Sequence, residues 1–185
     1  MNFTYRNSLK SKKVTYYNKL ARLVDNHTLE LTDSKGVKET VTADKILISV
    51  GGRPNYDYPG AKELCLTSDD IFSLSKPPGK TLVIGASYIA LECAGFLNAL
   101  GYKTTVMVRS ILLRGFDQDF ATRIGNNLQS KGVEFLYSAV PLNFTKSDSG
   151  KIVCEYHDND FNQNFKEEYD TVLLAIGRSP DTKGI

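Results

Sequence analysis

The chain has 185 residues, of which 41% are hydrophobic and 24% are charged, the proportions of an ordinary soluble globular protein. Its net charge of +2 is too small to indicate a nucleic-acid partner, and no apolar run approaches the ~18 residues of a membrane-spanning helix. The three cysteines, Cys65, Cys93 and Cys154, form no CxxC pair. This spacing disfavours a disulfide framework or a metal site and indicates a reducing, cytoplasmic setting.

The first third of the chain is predicted to be rich in β-structure. The segments that alternate apolar and polar residues, as half-buried strands do, are 13–17, 21–24 and 28–31. Residues 45–50 form a continuous apolar run, which predicts a strand buried on both faces. Residues 55–79 contain Pro-Gly turns and are predicted to be a connector, with one short helix after Ser68.

Residues 80–137 are predicted to alternate strands and helices. The strands are expected at 80–85, 103–108 and 133–137, and the helices at 87–100 and 117–131. The second helix is expected to bury Phe120, Ile124 and Leu128, which recur at helical spacing. This βαβαβ order is one mononucleotide-binding half of a doubly wound, Rossmann-like α/β fold.

The pattern then changes to that of an antiparallel β-meander packed on the nucleotide-binding unit. Its three β segments are predicted at 140–145, 152–157 and 165–169, with polar turns between them. Residues 171–176 are predicted to be a last buried strand.

A repeated pattern brackets this unit. Ile48-Ser-Val-Gly-Gly-Arg-Pro54 and Leu174-Ala-Ile-Gly-Arg-Ser-Pro180 each combine an apolar strand, a glycine stop, an arginine and a proline. We interpret them as the exit from and the re-entry into another domain, with the nucleotide domain inserted between them. Coincidence is the alternative, because glycine and proline often end strands.

The segment from Thr81 to Glu92 predicts a phosphate-binding turn between a strand and a helix. Gly85 permits the sharp turn, and Ser87 stands where the backbone must approach a pyrophosphate. Ala90 still allows close packing of the helix on the strand. The unpaired N–H groups of the first helical turn are then expected to face an anion.

Two arginines after the second strand indicate which dinucleotide binds. Sites for NAD usually carry an acidic residue ~20 residues past the glycines, whereas this chain has Arg109-Ser110 there and Arg114 shortly after. A guanidinium group matches a phosphate and keeps its charge. We therefore infer NADPH rather than NADH. Tyr88 and Glu92 are further candidates by position, with packing and helix-dipole compensation as the respective alternatives.

Two stretches of the chain resemble the NADPH domain of the large, animal-type thioredoxin reductases, flavoproteins of the pyridine nucleotide-disulfide oxidoreductase family. They are Val83-Ile-Gly-Ala-Ser-Tyr-Ile-Ala-Leu-Glu-Cys-Ala-Gly-Phe-Leu97 and Val106-Met-Val-Arg-Ser-Ile-Leu-Leu-Arg-Gly-Phe-Asp-Gln-Asp119. The resemblance implies an NADPH-dependent thioredoxin-disulfide reductase that passes hydride from NADPH to FAD and then to a cysteine pair and thioredoxin.

The resemblance also implies which residues bind the cofactor. They are Gly85, Ala86, Ser87, Tyr88, Ile89, Glu92, Arg109, Ser110, Arg114, Ala175, Ile176 and Gly177. Arg109, Ser110 and Arg114 would hold the 2′-phosphate. Tyr88 would cover the flavin and swing aside for the nicotinamide. Glu92 would lie near the nicotinamide and the lysine partner of the flavin, and residues 175–177 would border the nicotinamide.

By the same resemblance, the chain is expected to be a fragment of a larger enzyme. Residues 1–54 would end the first FAD-domain segment, 55–175 would be the inserted NADPH domain, and 176–185 would begin the returning FAD-domain segment. The family's redox-active cysteines have no counterpart here, so no catalytic residue is expected. FAD, thioredoxin and homodimer formation would belong to the full-length enzyme. The alternatives are a glutathione or thioredoxin–glutathione reductase fragment, and a stand-alone nucleotide-binding module without catalysis.

Overall fold

The computed structural model describes residues 2–185, which separate into two compact units. One unit holds the chain up to Gly51 together with Pro180–Ile185, and the other is Gly52–Ser179. Every residue predicted to bind the cofactor lies in the second unit. Among the described residues, no helix combines the length and apolar character needed to cross a membrane. The assignment of these parts to FAD and NADPH domains stays a prediction.

The first unit contains one helix and a small antiparallel sheet. Its elements are α1 (Asn2–Ser11), β1 (Leu20–Leu23), β2 (Thr28–Thr32) and β3 (Lys38–Thr42), and the strand order is β1-β2-β3. The predicted meander is thus confirmed from β1 onward. The strand predicted at 13–17 is wrong, because these residues have no regular structure, and α1 was not predicted.

The buried strand predicted at residues 45–50 is also wrong. This segment has no regular structure, and the side chain of Leu47 is 88% exposed. A strand that is buried on both faces requires hydrogen-bonded neighbours and a packed layer on each side. Residues 2–185 contain no strand that pairs with this segment, so its apolar side chains remain in solvent.

The second unit alternates strands and helices before it ends in β-structure. Its elements in chain order are β4 (Gly52–Pro54), α2 (Ala61–Leu64), β5 (Leu66–Thr67), a 3-10 helix (Ile71–Ser73), β6 (Thr81–Ile84), α3 (Tyr88–Ala99), β7 (Thr104–Val108), α4 (Gln118–Ser130), β8 (Glu134–Tyr137), β9 (Ala139–Lys146), β10 (Ile152–Asp158), β11 (Gln163–Tyr169), β12 (Thr171–Leu174) and β13 (Arg178–Pro180). The predicted βαβαβ unit and the meander are confirmed.

A five-stranded parallel sheet forms the centre of this unit, in the order β5-β12-β6-β7-β8. After the edge strand β5, the chain enters the middle of the sheet at β6, moves through β7 to β8, and returns as β12 between β5 and β6. Parallel sheets whose strand order reverses in this way bind ligands outside the carboxyl ends of the strands at the reversal. The topology therefore predicts a ligand site at the carboxyl end of β6.

Two hydrophobic layers cover the two faces of the parallel sheet. Side chains alternate along β6, so Val83 packs with the helices, whereas Leu82 and Ile84 pack with the antiparallel sheet β11-β10-β9. On the helical face, α3 contributes Ala90, Leu91, Cys93, Ala94 and Leu97. The fold is thus a three-layer, Rossmann-like α/β unit with an antiparallel meander, as the sequence predicts.

Of the three positions predicted to be buried on helix α4, only Leu128 packs against the core. The buried positions of the helix are Ala121 and Gly125, whereas Phe120 is 65% exposed and Ile124 is 40% exposed. The helix lies so close to Leu112 that a Cβ atom on Gly125 would be 2.5 Å from Leu112 Cδ1. The packing face is therefore formed by Ala121, Gly125 and Leu128, and it is rotated by about 100° from Phe120 and Ile124.

The two bracketing segments lie next to each other, because β4 and β13 form a two-stranded sheet. Their arginines approach one carboxylate. Arg178 Nη1 donates to Asp69 Oδ1 at 3.0 Å, and Arg53 Nη1 lies 4.0 Å from Asp69 Oδ2. Gly52 and Arg53 of the first segment thus lie beside Arg178 of the second.

The three cysteine thiols are free and buried. Burial raises the pKa of Cys65 and of Cys154 to about 12, so neither forms the reactive thiolate near neutral pH. We expect both to resist iodoacetamide in the native protein and to react in concentrated urea, with mass spectrometry locating the label. Rapid modification of native Cys65 would show that α2 opens far more readily than its packing indicates.

Candidate functional site

A cavity of about 450 Å³ opens at the carboxyl edge of the parallel sheet, where β12, β6 and β7 end. This volume lies within the usual range of small-molecule sites. The predicted site residues that line it are Gly85, Ala86, Ser87, Tyr88, Arg109, Ser110, Arg114, Ala175, Ile176 and Gly177. The structure thus brings together ten residues that are up to 92 positions apart in sequence.

The turn after β6 requires glycine at its first position. Gly85 has a φ of 120°, and a Cβ atom there would lie 2.3 Å from the carbonyl oxygen of Ala175. That carbonyl cannot retreat easily, because the Ala175 N–H donates to Ile84 O at 2.8 Å, while the Gly85 N–H donates to Met107 O at 3.1 Å. The ends of three neighbouring strands are therefore fixed around a residue without a side chain.

Helix α3 points its N-terminus at the cavity. Ser87 is the N-cap residue, but its hydroxyl makes no capping hydrogen bond and the residue lines the cavity. No acceptor in the described part of the chain faces the backbone N–H groups of residues 88–90. These N–H groups and the positive end of the helix dipole favour an anion here.

The loop between β7 and α4 carries the two arginines. Leu112 and Leu113 anchor it in the core, and the Leu113 N–H donates to Ala86 O at 2.7 Å across the glycine turn. Leu113 has a φ of 46°, an uncommon conformation for leucine. The anchored loop places Arg109 and Arg114 along the cavity, where Arg114 Nη2 donates to Ser110 Oγ at 2.8 Å.

The guanidinium groups of Arg109 and Arg114 form no ion pair within the described residues, and Asp57 is the carboxylate that lines the same cavity. Two guanidinium groups without carboxylate partners, next to a helix N-terminus, match a ligand with more than one phosphate group. Tyr88 lies at the rim, and its side chain is 55% exposed.

Two of the predicted site residues do not line the cavity. Ile89 packs against the core between α3 and the sheet, and Glu92 is exposed one turn farther along the helix. Neither side chain reaches the cavity in this structure. Their roles at the cofactor stay predictions.

One wall of the cavity was not predicted: Asp57 and Tyr58 contribute it from the connector. The connector folds back on β9, where the Phe144 N–H donates to Pro59 O at 3.0 Å. Gly60, with a φ of 74°, fits directly against the Phe144 carbonyl group. The Pro-Gly turn was visible in the sequence, but its partner lies 85 positions away and has no local signal.

The strand order fixes the order in which the groups that line the cavity follow one another along its length. Neighbouring strands lie about 4.8 Å apart, and β6 separates β12 from β7. The arginines therefore lie at the β7 end, the helix N-terminus lies in the middle, and residues 175–177 lie at the β12 end. An extended ligand can contact all three at once.

Comparison with known proteins agrees with this geometry. Residues 1–185 match the pyridine nucleotide-disulphide oxidoreductase family. The whole chain is 51% identical over 188 residues to "Thioredoxin reductase SEP1" of Emiliania huxleyi, covering 37% of that protein. It is also 51% identical over 189 residues to a thioredoxin reductase of Plasmodium falciparum (isolate FCH-5), covering 34% of it. The chain thus spans about a third of the length of these curated relatives.

A solved structure shares the fold. The HOCl-induced flavoprotein disulfide reductase RclA from Escherichia coli, studied as its Cu(II) complex, superimposes with a TM-score of 0.81 at 23% identity. The match covers 98% of this chain and 40% of that one. The sequence match over the full chain confirms the resemblance to thioredoxin reductases, and this chain belongs to the pyridine nucleotide-disulphide oxidoreductase family.

Proposed function

We propose that this chain binds NADPH in the cavity at the carboxyl end of β6. We further propose that it belongs to a thioredoxin reductase in which hydride passes from NADPH to FAD and then to a cysteine pair and thioredoxin. Membership in the family implies that flavin and a nicotinamide nucleotide are the cofactors. The choice of NADPH, and of thioredoxin as the final acceptor, is our own inference.

The observation that carries the proposal is the pair of arginines at the β7 end. Arg109 and Arg114 line the cavity without carboxylate partners, at the position where NAD-specific sites place an acidic residue. An adenosine 2′-phosphate would supply the missing negative charge. NADH has no group for these guanidinium ions to bind.

The rest of the cavity fits the remainder of the dinucleotide. The pyrophosphate oxygens would accept hydrogen bonds from the backbone N–H groups at the start of α3. Gly85 leaves open the space that a Cβ atom would fill beside them. With the 2′-phosphate at the arginines, the nicotinamide of an extended dinucleotide would lie toward residues 175–177, because these follow β12 on the far side of β6. Tyr88 would lie beside this end, exposed and able to move away from an entering ring.

The residues of this chain would bind and orient the nucleotide, whereas NADPH when bound supplies the hydride. The described residues bring no three metal-ligating side chains together, and the thiols are buried and unpaired. Thioredoxin as the acceptor is supported by the names of the relatives that are 51% identical over the whole chain.

Titration calorimetry with the two nucleotides tests the proposal. We expect NADPH to bind at least about tenfold more tightly than NADH, because each charged hydrogen bond to the extra phosphate contributes about 1.5–3 kcal/mol. The fragment 2′,5′-ADP should compete with NADPH. Equal affinities for NADPH and NADH would contradict the 2′-phosphate site, and binding of neither would contradict the nucleotide site as a whole.

A further inference from the structure

We propose that Tyr58 is a further ligand-contacting residue, whose hydroxyl donates a hydrogen bond to the phosphate group held by Arg109 and Arg114. This inference rests on the proposed function and adds to it a third side chain that selects the phosphorylated nucleotide. The residue belongs to the connector, outside the strand–turn–helix and outside the arginine loop.

Three contacts fix the position of Tyr58. Its ring packs edge-on against Phe144, with 6.4 Å between centroids and an interplanar angle of 78°. The Pro59 carbonyl accepts the Phe144 N–H at 3.0 Å, and the close approach of Gly60 to the Phe144 carbonyl leaves no room for a side chain. Tyr58 is therefore held by β9 and not by a flexible loop.

The position of β9 places Tyr58 at the arginine end of the cavity. Strand β9 packs against β7, the strand that leads into Arg109. By contrast, residues 175–177 follow β12, which lies on the far side of β6. Tyr58 and Arg109 line the same cavity, and the charge of Arg109 acts on the Tyr58 hydroxyl.

The hydroxyl group of Tyr58 has no hydrogen-bond partner among residues 2–185. No buried side-chain oxygen among the described residues lacks a partner, so this hydroxyl is open to the solvent of the cavity and is available to donate to a ligand. Burial raises the pKa of Tyr58 above its ordinary value; the charge of Arg109 offsets part of that rise, and the carboxylate of Asp57 adds to it. The hydroxyl thus keeps its proton near neutral pH and can donate to a phosphate oxygen.

The opposing explanation is that Tyr58 serves only to pack against Phe144. Replacement Tyr58→Phe separates the two, because it removes the hydroxyl and retains the ring. Tyr56→Phe is the matched control, since Tyr56 lies two residues away and does not line the cavity. Thermal unfolding of each variant shows whether packing has changed.

We expect Tyr58→Phe to weaken the binding of NADPH and of 2′,5′-ADP about tenfold, because a hydrogen bond to a charged group is lost. Binding of NADH should change by less than about twofold, and the melting temperature and the Tyr56→Phe control should stay close to the parent protein. Unchanged NADPH affinity would show that Tyr58 only packs. If the variant bound both NADPH and NADH more weakly by the same factor, Tyr58 would contact a part of the nucleotide that the two share and not the 2′-phosphate. That result would also overturn the inference.

The outcome for the parent chain separates this inference from the proposed function. If the parent chain prefers NADPH and Tyr58→Phe retains that preference in full, only the role of Tyr58 fails. If the parent chain shows no preference for NADPH, the 2′-phosphate site itself fails, and the assignment of Tyr58 fails with it.

Discussion

Replacement of Gly85 by alanine is expected to destabilise the second unit by at least about 2–4 kcal/mol and to abolish nucleotide binding. The new Cβ atom would lie 2.3 Å from the Ala175 carbonyl oxygen, in a conformation with a φ of 120° that alanine rarely adopts. The carbonyl group is fixed in the sheet, so relief requires the ends of β6 and β12 to separate. Urea denaturation and calorimetry with NADPH measure the two effects.

Gly101→Ala is the matched control for this experiment. Gly101 also has a positive φ, of 90°, but a Cβ atom there would meet nothing within 4 Å. The Gly101→Ala variant should therefore lose only about 1 kcal/mol of folding stability, from backbone strain alone, and should bind NADPH as the unmodified chain does. If Gly85→Ala were no more destabilising than Gly101→Ala, the close approach between the two strands would not exist in solution.

The central unit was predictable because its signals are local. The apolar strand ending in Gly85, the helix beginning at Ser87 and the arginines after β7 are each readable within about ten residues. Parallel strands bring their carboxyl ends to one edge, so correct strand assignments sufficed to predict that these segments meet. The structure places them around one cavity.

The features that were missed depend on contacts that no local pattern encodes. Phe120 and Ile124 have the spacing of a buried stripe, but Gly125 permits the approach of Leu112, and the face of α4 that turns inward is rotated by about 100° from them. Leu47 lies in a run typical of a buried strand, which forms only where neighbours are present. Tyr58 reaches the cavity through Phe144, 86 positions along the chain.

Arg109→Ala is expected to weaken NADPH binding by roughly 10- to 100-fold and to change NADH binding by less than about threefold. The guanidinium group lines the cavity and forms no ion pair among the described residues, so the bound 2′-phosphate would lose its direct counter-charge in the variant. Arg114→Ala should act in the same direction, and its loss also removes the hydrogen bond that holds Ser110. Calorimetry with both nucleotides at one ionic strength gives the comparison.

Arg123→Ala is the control, because Arg123 is exposed on α4 outside the cavity and its replacement removes the same charge. If only long-range attraction mattered, Arg123→Ala and Arg109→Ala would weaken the binding of NADPH by similar factors, and added salt would remove both effects. A direct contact makes the loss specific to Arg109 and Arg114, and the loss should persist when added salt has screened the rest of the surface. Equal effects of the three variants would show that net charge, and not this site, selects the nucleotide.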